Sequence, residues 1–354
     1  MKDYFLKRDC YKKYSNIESV LIYGKIKENI PSVSIVIPTY KRPALLKEAI
    51  DSALHQKYFD DYEIVIVDNE DNFDQRTETE DLIFSYNNDK IIYYRNRKNI
   101  GMFGNWNRCI ELANGKWVCM LNDDDLLEET YLYEVNNALK CGQIYFLGVN
   151  NRVQNTLFKE NDPPKGFKIK QVFKKILLFE SKLFELSMYD YIFGYPHPTL
   201  GMVFDRLKAL ELGGFDENYY PSADYYFAAK FQHYYGAYFL NKRLCKYRIV
   251  ENASLKNEVC EGFITNDFEF SKYLINQTPP DSRNILFFLR QCFCKRLIKL
   301  TNEQYGQKLN DFTLFQKMGI SKLYLSRPFQ ITGDFALIVL RIYLQIFRKK
   351  IRIS

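Results

Sequence analysis

Histidine and tryptophan are scarce in this 354-residue chain, with three and two copies. The histidines lack zinc-ligand spacing, and His55, His197 and His233 read as surface or packing residues. Eight cysteines lie at 10, 109, 119, 141, 245, 260, 292 and 294, with no CxxC pair and no framework spacing. That pattern argues against a disulfide-stapled fold and reads as reduced thiols. The opening MKDYFLKRDC lacks the apolar core of a signal peptide, and no apolar run approaches the roughly 20 residues of a membrane-spanning helix. A cytoplasmic location is the expectation. Internal repeats and low-complexity tracts are missing as well.

Apolar surface, by contrast, is plentiful: 47% of residues are hydrophobic and 16% aromatic, which excludes intrinsic disorder. Fifty Lys plus Arg against 43 Asp plus Glu leave a charge of +7. That excess suits an anionic ligand or a membrane surface and does not call for nucleic acid. Residues 335–354 hold Arg341, Arg348, Lys349, Lys350 and Arg352 without an acidic residue, interleaved with large apolar ones. They read as a basic helix able to lie in a lipid interface or to pack on protein.

From residue 33 the pattern alternates. SVSIVIPTY is a β-branched run, and PALLKEAIDSALHQ repeats its apolar positions at helical spacing. EIVIVDN (63–69), IIYYRN (91–96) and KWVCMLNDDD (116–125) continue as strands, with helices near 76–86, 103–113 and 128–140. Four buried-looking strands separated by helices predict a Rossmann-like α/β domain with a mainly parallel central sheet. Ligands bind such sheets at the carboxyl ends of the strands. Three polar clusters fall there: Pro38–Thr39–Tyr40, Asp68–Asn69–Glu70 and Asn122 to Asp125. One shared cleft is expected.

Three successive carboxylates, Asp123, Asp124 and Asp125, repel one another unless a cation or donor compensates them. A hard divalent ion bridging carboxylate and phosphate would do so. An acidic helix N-terminus, with Leu126 onward helical, is an equal alternative on these residues alone. Taken singly, Asp68 reads as a turn residue, NIG (99–101) as a turn, and Asp224 as a helix-start residue after Ser222.

In their order and spacing, VSIVIPTYKRP, EIVIVDN, NIGMFGNWN and LNDDDLL resemble the inverting family 2 glycosyltransferases and their GT-A fold, over about residues 33–255. The resemblance implies transfer of a sugar from a nucleotide-sugar donor, of the UDP-sugar kind, to a glycan or lipid-linked acceptor at the cytoplasmic face of a membrane. It further implies that Pro38, Thr39 and Tyr40 line base and ribose, that Asp68 accepts from the pyrimidine, and that Arg42 reaches phosphate. Asn99, Gly101 and Asn105 would approach the donor, with Asn122 and Asp123 beside it. Asp124 would hold Mn²⁺ or Mg²⁺. GGFDENYYPSADYYF resembles the segment bearing the family's base, which falls on Asp224, and KYRIV resembles a closing Tyr-Arg motif in which Arg248 clamps phosphate. The chain departs from the pattern at Asn122, Ala223 and Val250, where Asp, Glu and His are usual.

The expected organisation is an N-terminal extension over 1–31 and a GT-A domain over 32–255, with a nucleotide-sugar half (32–125) and an acceptor half (126–255). A basic helical C-terminal segment follows over 256–354. Two rival activities stay open at this stage: a nucleotidyltransferase on a similar sheet, and a catalytically weak nucleotide-sugar-binding scaffold.

Overall fold

The computed structural model describes residues 3–26, 28–155, 183–193, 199–250, 255–329, 331–332, 334–335, 338–339 and 350–351. The expected mixed α/β architecture forms. Strands β2 (Val33–Thr39), β3 (Tyr62–Asp68), β4 (Ile91–Asn96) and β5 (Trp117–Met120) alternate with helices α1 (Pro43–Leu54), α2 (Glu78–Tyr86) and α3 (Gly101–Leu112). β4, β3, β2 and β5 are neighbours in that order, all parallel. Every residue of β2, β3 and β4 is buried, as a sheet covered on both faces requires.

Alternation along β2 splits the core into two layers. Val33, Ile35 and Ile37 pack with Leu46, Ile50 and Ala53 of α1, whereas Val36 joins Phe103 and Ile110 of α3 on the opposite face. Beyond β5 the sheet becomes mixed, adding β7 (Phe146–Asn155), β9 (Val203–Asp205) and β10 (Tyr238–Ile249). β10 runs parallel to β7 and antiparallel to β6 (Leu126–Leu127) and β8 (Leu183–Glu185). The residues after the acidic triplet thus make a short strand. The next helix, α4, begins only at Tyr131, so the triplet is not a helix N-terminus.

The N-terminal residues join the fold. β1 (Ser19–Tyr23) pairs antiparallel with β4 at one sheet edge, and Tyr4 and Phe5 are buried in the core. Past residue 256 come α8 (Asn257–Gln277), α9 (Pro280–Tyr305) and α10 (Asp311–Lys317), after the shorter α5 (Met188–Ile192), α6 (Arg206–Leu212) and α7 (Ala223–Tyr235). Phe270, Leu274, Ile275 and Phe293 of α8 and α9 share a core layer with Phe103, Phe215 and Phe227.

The expectation of a basic helix over 335–354 falls largely outside the described residues. Where they are described, Phe335, Ile338 and Val339 are exposed, and Lys350–Ile351 form a strand, β11, on β8 at the other sheet edge rather than a helix. No helix among the described residues is long and apolar enough to cross a membrane.

Candidate active site

At the carboxyl ends of β2, β3 and β5 lies a cavity of about 740 Å³. Thr39 and Asp68 are register partners on β2 and β3, which brings two of the polar clusters level. Pro38, Thr39, Tyr40, Arg42, Asn99, Asn105, Asn122, Asp123, Asp124 and Asp224 all line this one space. Residues 124 and 224, a hundred positions apart in the chain, therefore open on the same cavity.

The acidic turn is braced from several sides. Thr39 Oγ1 donates to Asp123 Oδ2 at 2.9 Å, and Arg42 Nη1 lies 3.1 Å from Asp124 Oδ2 and 3.5 Å from Asp123 Oδ1. Pro43 starts α1 immediately after Arg42, fixing where that arginine leaves the backbone. Burial and the neighbouring Asp124 charge push Asp123 up to about 6. Asp125 points away from the cavity and is fully buried, accepting from Asn122 Nδ2 and from the Arg248 amide, each at 2.9 Å. Burial, reinforced by Asp124, raises it to about 7. Asn122 accordingly uses its amide to hold Asp125, which a carboxylate at that position would repel.

Arg248, expected to clamp phosphate, is held here by protein partners. It does not line the cavity: its Nε donates to the Asp124 carbonyl and its Nη1 pairs with Glu48. The guanidinium props the acidic turn, and its Nη2 is buried without a hydrogen-bond partner. Asp68, expected to accept from the pyrimidine, accepts from protein donors. It is fully buried outside the cavity lining, with Oδ2 accepting from Tyr93 Oη at 2.7 Å and Oδ1 from the Glu70 amide at 2.9 Å. Burial raises it to about 6 despite those bonds. Gly101 likewise lies off the lining, as the left-handed first residue of α3 (φ 75°).

Asn69, named in the sequence only as part of the Asp68–Asn69–Glu70 cluster, lines the cavity. Its Nδ2 donates to Asn99 Oδ1 (2.8 Å) and to the Gly101 carbonyl (3.2 Å), while its Oδ1 accepts from the Ile100 amide and from Asn96. Asn96 also donates to Asn105, which donates to the Val67 carbonyl. Four asparagines thus lock the ends of β3 and β4 to the start of α3. The adjoining DN and NIG strings were the available signal.

Across the cavity, Asp224 stands at the first turn of α7. Thr199 Oγ1 donates to its Oδ2 at 2.8 Å and the Tyr225 amide to its Oδ1 at 2.9 Å. Burial outweighs these bonds and raises its pKa above the usual carboxylate range. The wall beyond it is built by α8 and α9 through Phe263, Asp267, Thr301, Gln304 and Tyr305, none of which stood out in the sequence. His197 lies outside the described residues.

Among the described residues, no three His, Cys, Asp or Glu side chains are arranged to hold a metal unaided. Mg²⁺ and related ions are commonly held by one or two carboxylates plus substrate phosphates and water. Asp123 and Asp124, crowded at the cavity wall with Asp123 held near 6, fit that mode.

Residues 34–192 match the family model described as Glycosyl transferase family 2. An uncharacterised glycosyltransferase of Methanocaldococcus jannaschii is 30% identical over 208 residues, 56% of this chain and 63% of that protein. A GalNAc(5)-diNAcBac-PP-undecaprenol beta-1,3-glucosyltransferase of Campylobacter jejuni is 34% identical over 99 residues, 28% of this chain and 31% of that one. These matches span less than two thirds of either relative. The S. aureus TarS 1-349 crystal structure shares the fold at a TM-score of 0.54 and 14% identity, over 81% of this chain and 78% of that one.

Proposed function

We propose that the chain is a glycosyltransferase of the family 2 type, catalysing inverting transfer from a nucleotide-sugar donor, of the UDP-sugar class, to an acceptor hydroxyl, a reading supported by the family model's match to residues 34–192. The observation that carries this reading is the single cavity shared by the Asp123–Asp124 turn and Asp224. The nucleotide would lie along Pro38, Thr39, Tyr40 and the Asn69–Asn99–Asn105 wall, placing its diphosphate by Arg42 and Asp124.

Asp224 takes the proton from the acceptor hydroxyl. The oxygen then attacks the anomeric carbon from the face opposite the nucleoside diphosphate, the C–O bond to that group breaks, and the diphosphate leaves with the bonding electrons. Thr199 and the Tyr225 amide fix the direction of the Asp224 carboxylate, and its raised pKa makes it a better proton acceptor. A divalent cation on Asp124 and Asp123 would offset the charge developing on the departing diphosphate. The acceptor in this proposal is a glycan or a lipid-linked saccharide. Exposed Phe335, Ile338 and Val339, beside the basic residues that follow, support contact with a membrane surface.

A panel of nucleotide sugars assayed for diphosphate release with Mn²⁺ or Mg²⁺ tests the proposal. Asp124→Ala should lose donor turnover by about 10²-fold or more, and Asp224→Asn should retain nucleotide binding while turnover falls by about 10²–10⁴-fold. Full activity in Asp224→Asn would remove the base. Pyrophosphate release from a nucleoside triphosphate would replace the reaction altogether, and donor binding without turnover would leave a scaffold.

A further inference from the structure

The end of the cavity beyond Asp224 has its own chemistry. The hairpin of α8 and α9 forms one wall of the cavity, which the rings of Tyr225, Phe263 and Tyr305 line. Within that wall Asp267 pairs through Oδ2 with Arg290, whose side chain is fully buried. Arg290 is held in turn by a 2.9 Å bond from its Nε to Ser271 Oγ. The second oxygen, Asp267 Oδ1, is buried and accepts no hydrogen bond, the adjacent Tyr225 hydroxyl donating its proton to the Tyr191 carbonyl instead. An unsatisfied buried acceptor is costly, and native structures rarely keep one unless something arrives to use it.

Charge narrows what can arrive. Among the described residues lining the cavity, the carboxylates are Asp123, Asp124, Asp224 and Asp267, and the cation is Arg42, already seated on Asp123 and Asp124. The Asp224–Asp267 end thus presents two carboxylates, with Arg290 behind Asp267 rather than in the cavity lining. A phosphate or a uronate entering here would be repelled without compensation. A hydroxyl can donate to Asp267 Oδ1, and the C–H face of a sugar ring can lie on the aromatic side chains.

We propose that this end is the acceptor subsite, that it takes an uncharged pyranoside, and that Asp267, held by Arg290, binds one hydroxyl of that sugar while another meets Asp224. The assignment rests on the glycosyltransferase mechanism proposed above and adds the class of acceptor. Asp267 acts on acceptor binding, whereas Asp224 acts on the reacting hydroxyl.

The test uses the full chain, a donor that it hydrolyses, and p-nitrophenyl glycosides as acceptor probes: neutral glucoside, galactoside and N-acetylglucosaminide against the glucuronide. Neutral probes should accelerate diphosphate release above the rate in water and the glucuronide should not. Asp267→Asn should raise the KM for the neutral probe about tenfold, with donor hydrolysis in water changed less than twofold. It should also narrow the preference for neutral over anionic probe. Because Asp267→Asn leaves Arg290 buried without its ion partner, Gln304→Ala is the companion variant, exposed on the same wall and outside the core. It should raise acceptor KM while leaving the melting temperature unchanged. Equal use of the glucuronide, a neutral-probe KM unmoved in both variants, or donor turnover with no response to any neutral probe overturns the subsite. Failure of donor turnover in the wild type instead removes the mechanism beneath it.

Discussion

Asp123 links the site to stability. Its pKa near 6 in the folded chain exceeds the unfolded value near 4, so the native state binds the extra proton between those limits. Its stabilising contribution is complete below about pH 4 and is lost as pH rises to about 6. The difference amounts to roughly 2–3 kcal/mol. Unfolding free energies of wild type and Asp123→Asn, measured in denaturant from pH 4 to 8, should diverge across that window, with the variant relatively more stable at the alkaline end. Saturating Mn²⁺ should flatten the wild-type curve by favouring the ionised form. The neighbouring turn also shows where sequence reading stops. The strings named both strand ends correctly, but successive strand residues face opposite ways. Asp68 and Asn69 therefore differ in what the structure makes of them: Asp68 is buried against Tyr93, whereas Asn69 lines the cavity, a distinction the alternation alone does not make. Likewise, a Tyr-Arg pair in the sequence does not reveal that Glu48, two hundred positions away, pairs with the Arg248 guanidinium.

The first nine residues illustrate the same point for whole elements. Their polarity hides Tyr4, whose ring lies within 5.0–5.5 Å of Tyr219, Tyr226, Phe270 and Tyr273, and Phe5, stacked 4.1 Å from His233. Gly213 lets this segment pass. It is left-handed (φ 88°), and a Cβ there would sit 1.8 Å from the Arg8 carbonyl oxygen. Gly213→Ala should cost at least about 1–2 kcal/mol from backbone conformation alone and more from displacing Arg8. Gly142→Ala, whose Cβ meets nothing within 4 Å, is the matched control and should leave the melting temperature nearly unchanged. The strands and helices between 33 and 150 were legible because their periodicities are strong. The N-terminal segment was not, because two anchoring rings make no period.

For the whole molecule, the decisive packing is that of α8 and α9 against the sheet layers. Phe270, Leu274, Ile275 and Phe293 complete the core cluster that also contains Phe215 and Phe227, so these helices and the sheet share one apolar interior. Thermal unfolding followed by far-ultraviolet dichroism and by tyrosine fluorescence should show coincident transitions. A chain ending at residue 255 should aggregate or lose cooperative melting, and two separated transitions with a soluble 1–255 fragment would contradict this. That this region is helical was visible in the sequence, although α8 is acidic and only α9 carries the expected basic excess; that the two helices face the cavity was not, because a helix pattern names an apolar stripe without naming what covers it.

Strands formed by residues 19–23 and 350–351 occupy opposite edges of the same sheet. Neighbouring strands are joined sideways, through bonds lying across their length. A tether gripping those two strands would therefore pull rows apart one bond at a time, as a zip opens, instead of sliding them against many bonds at once. Along that direction the molecule is mechanically soft, whatever its resistance to heat.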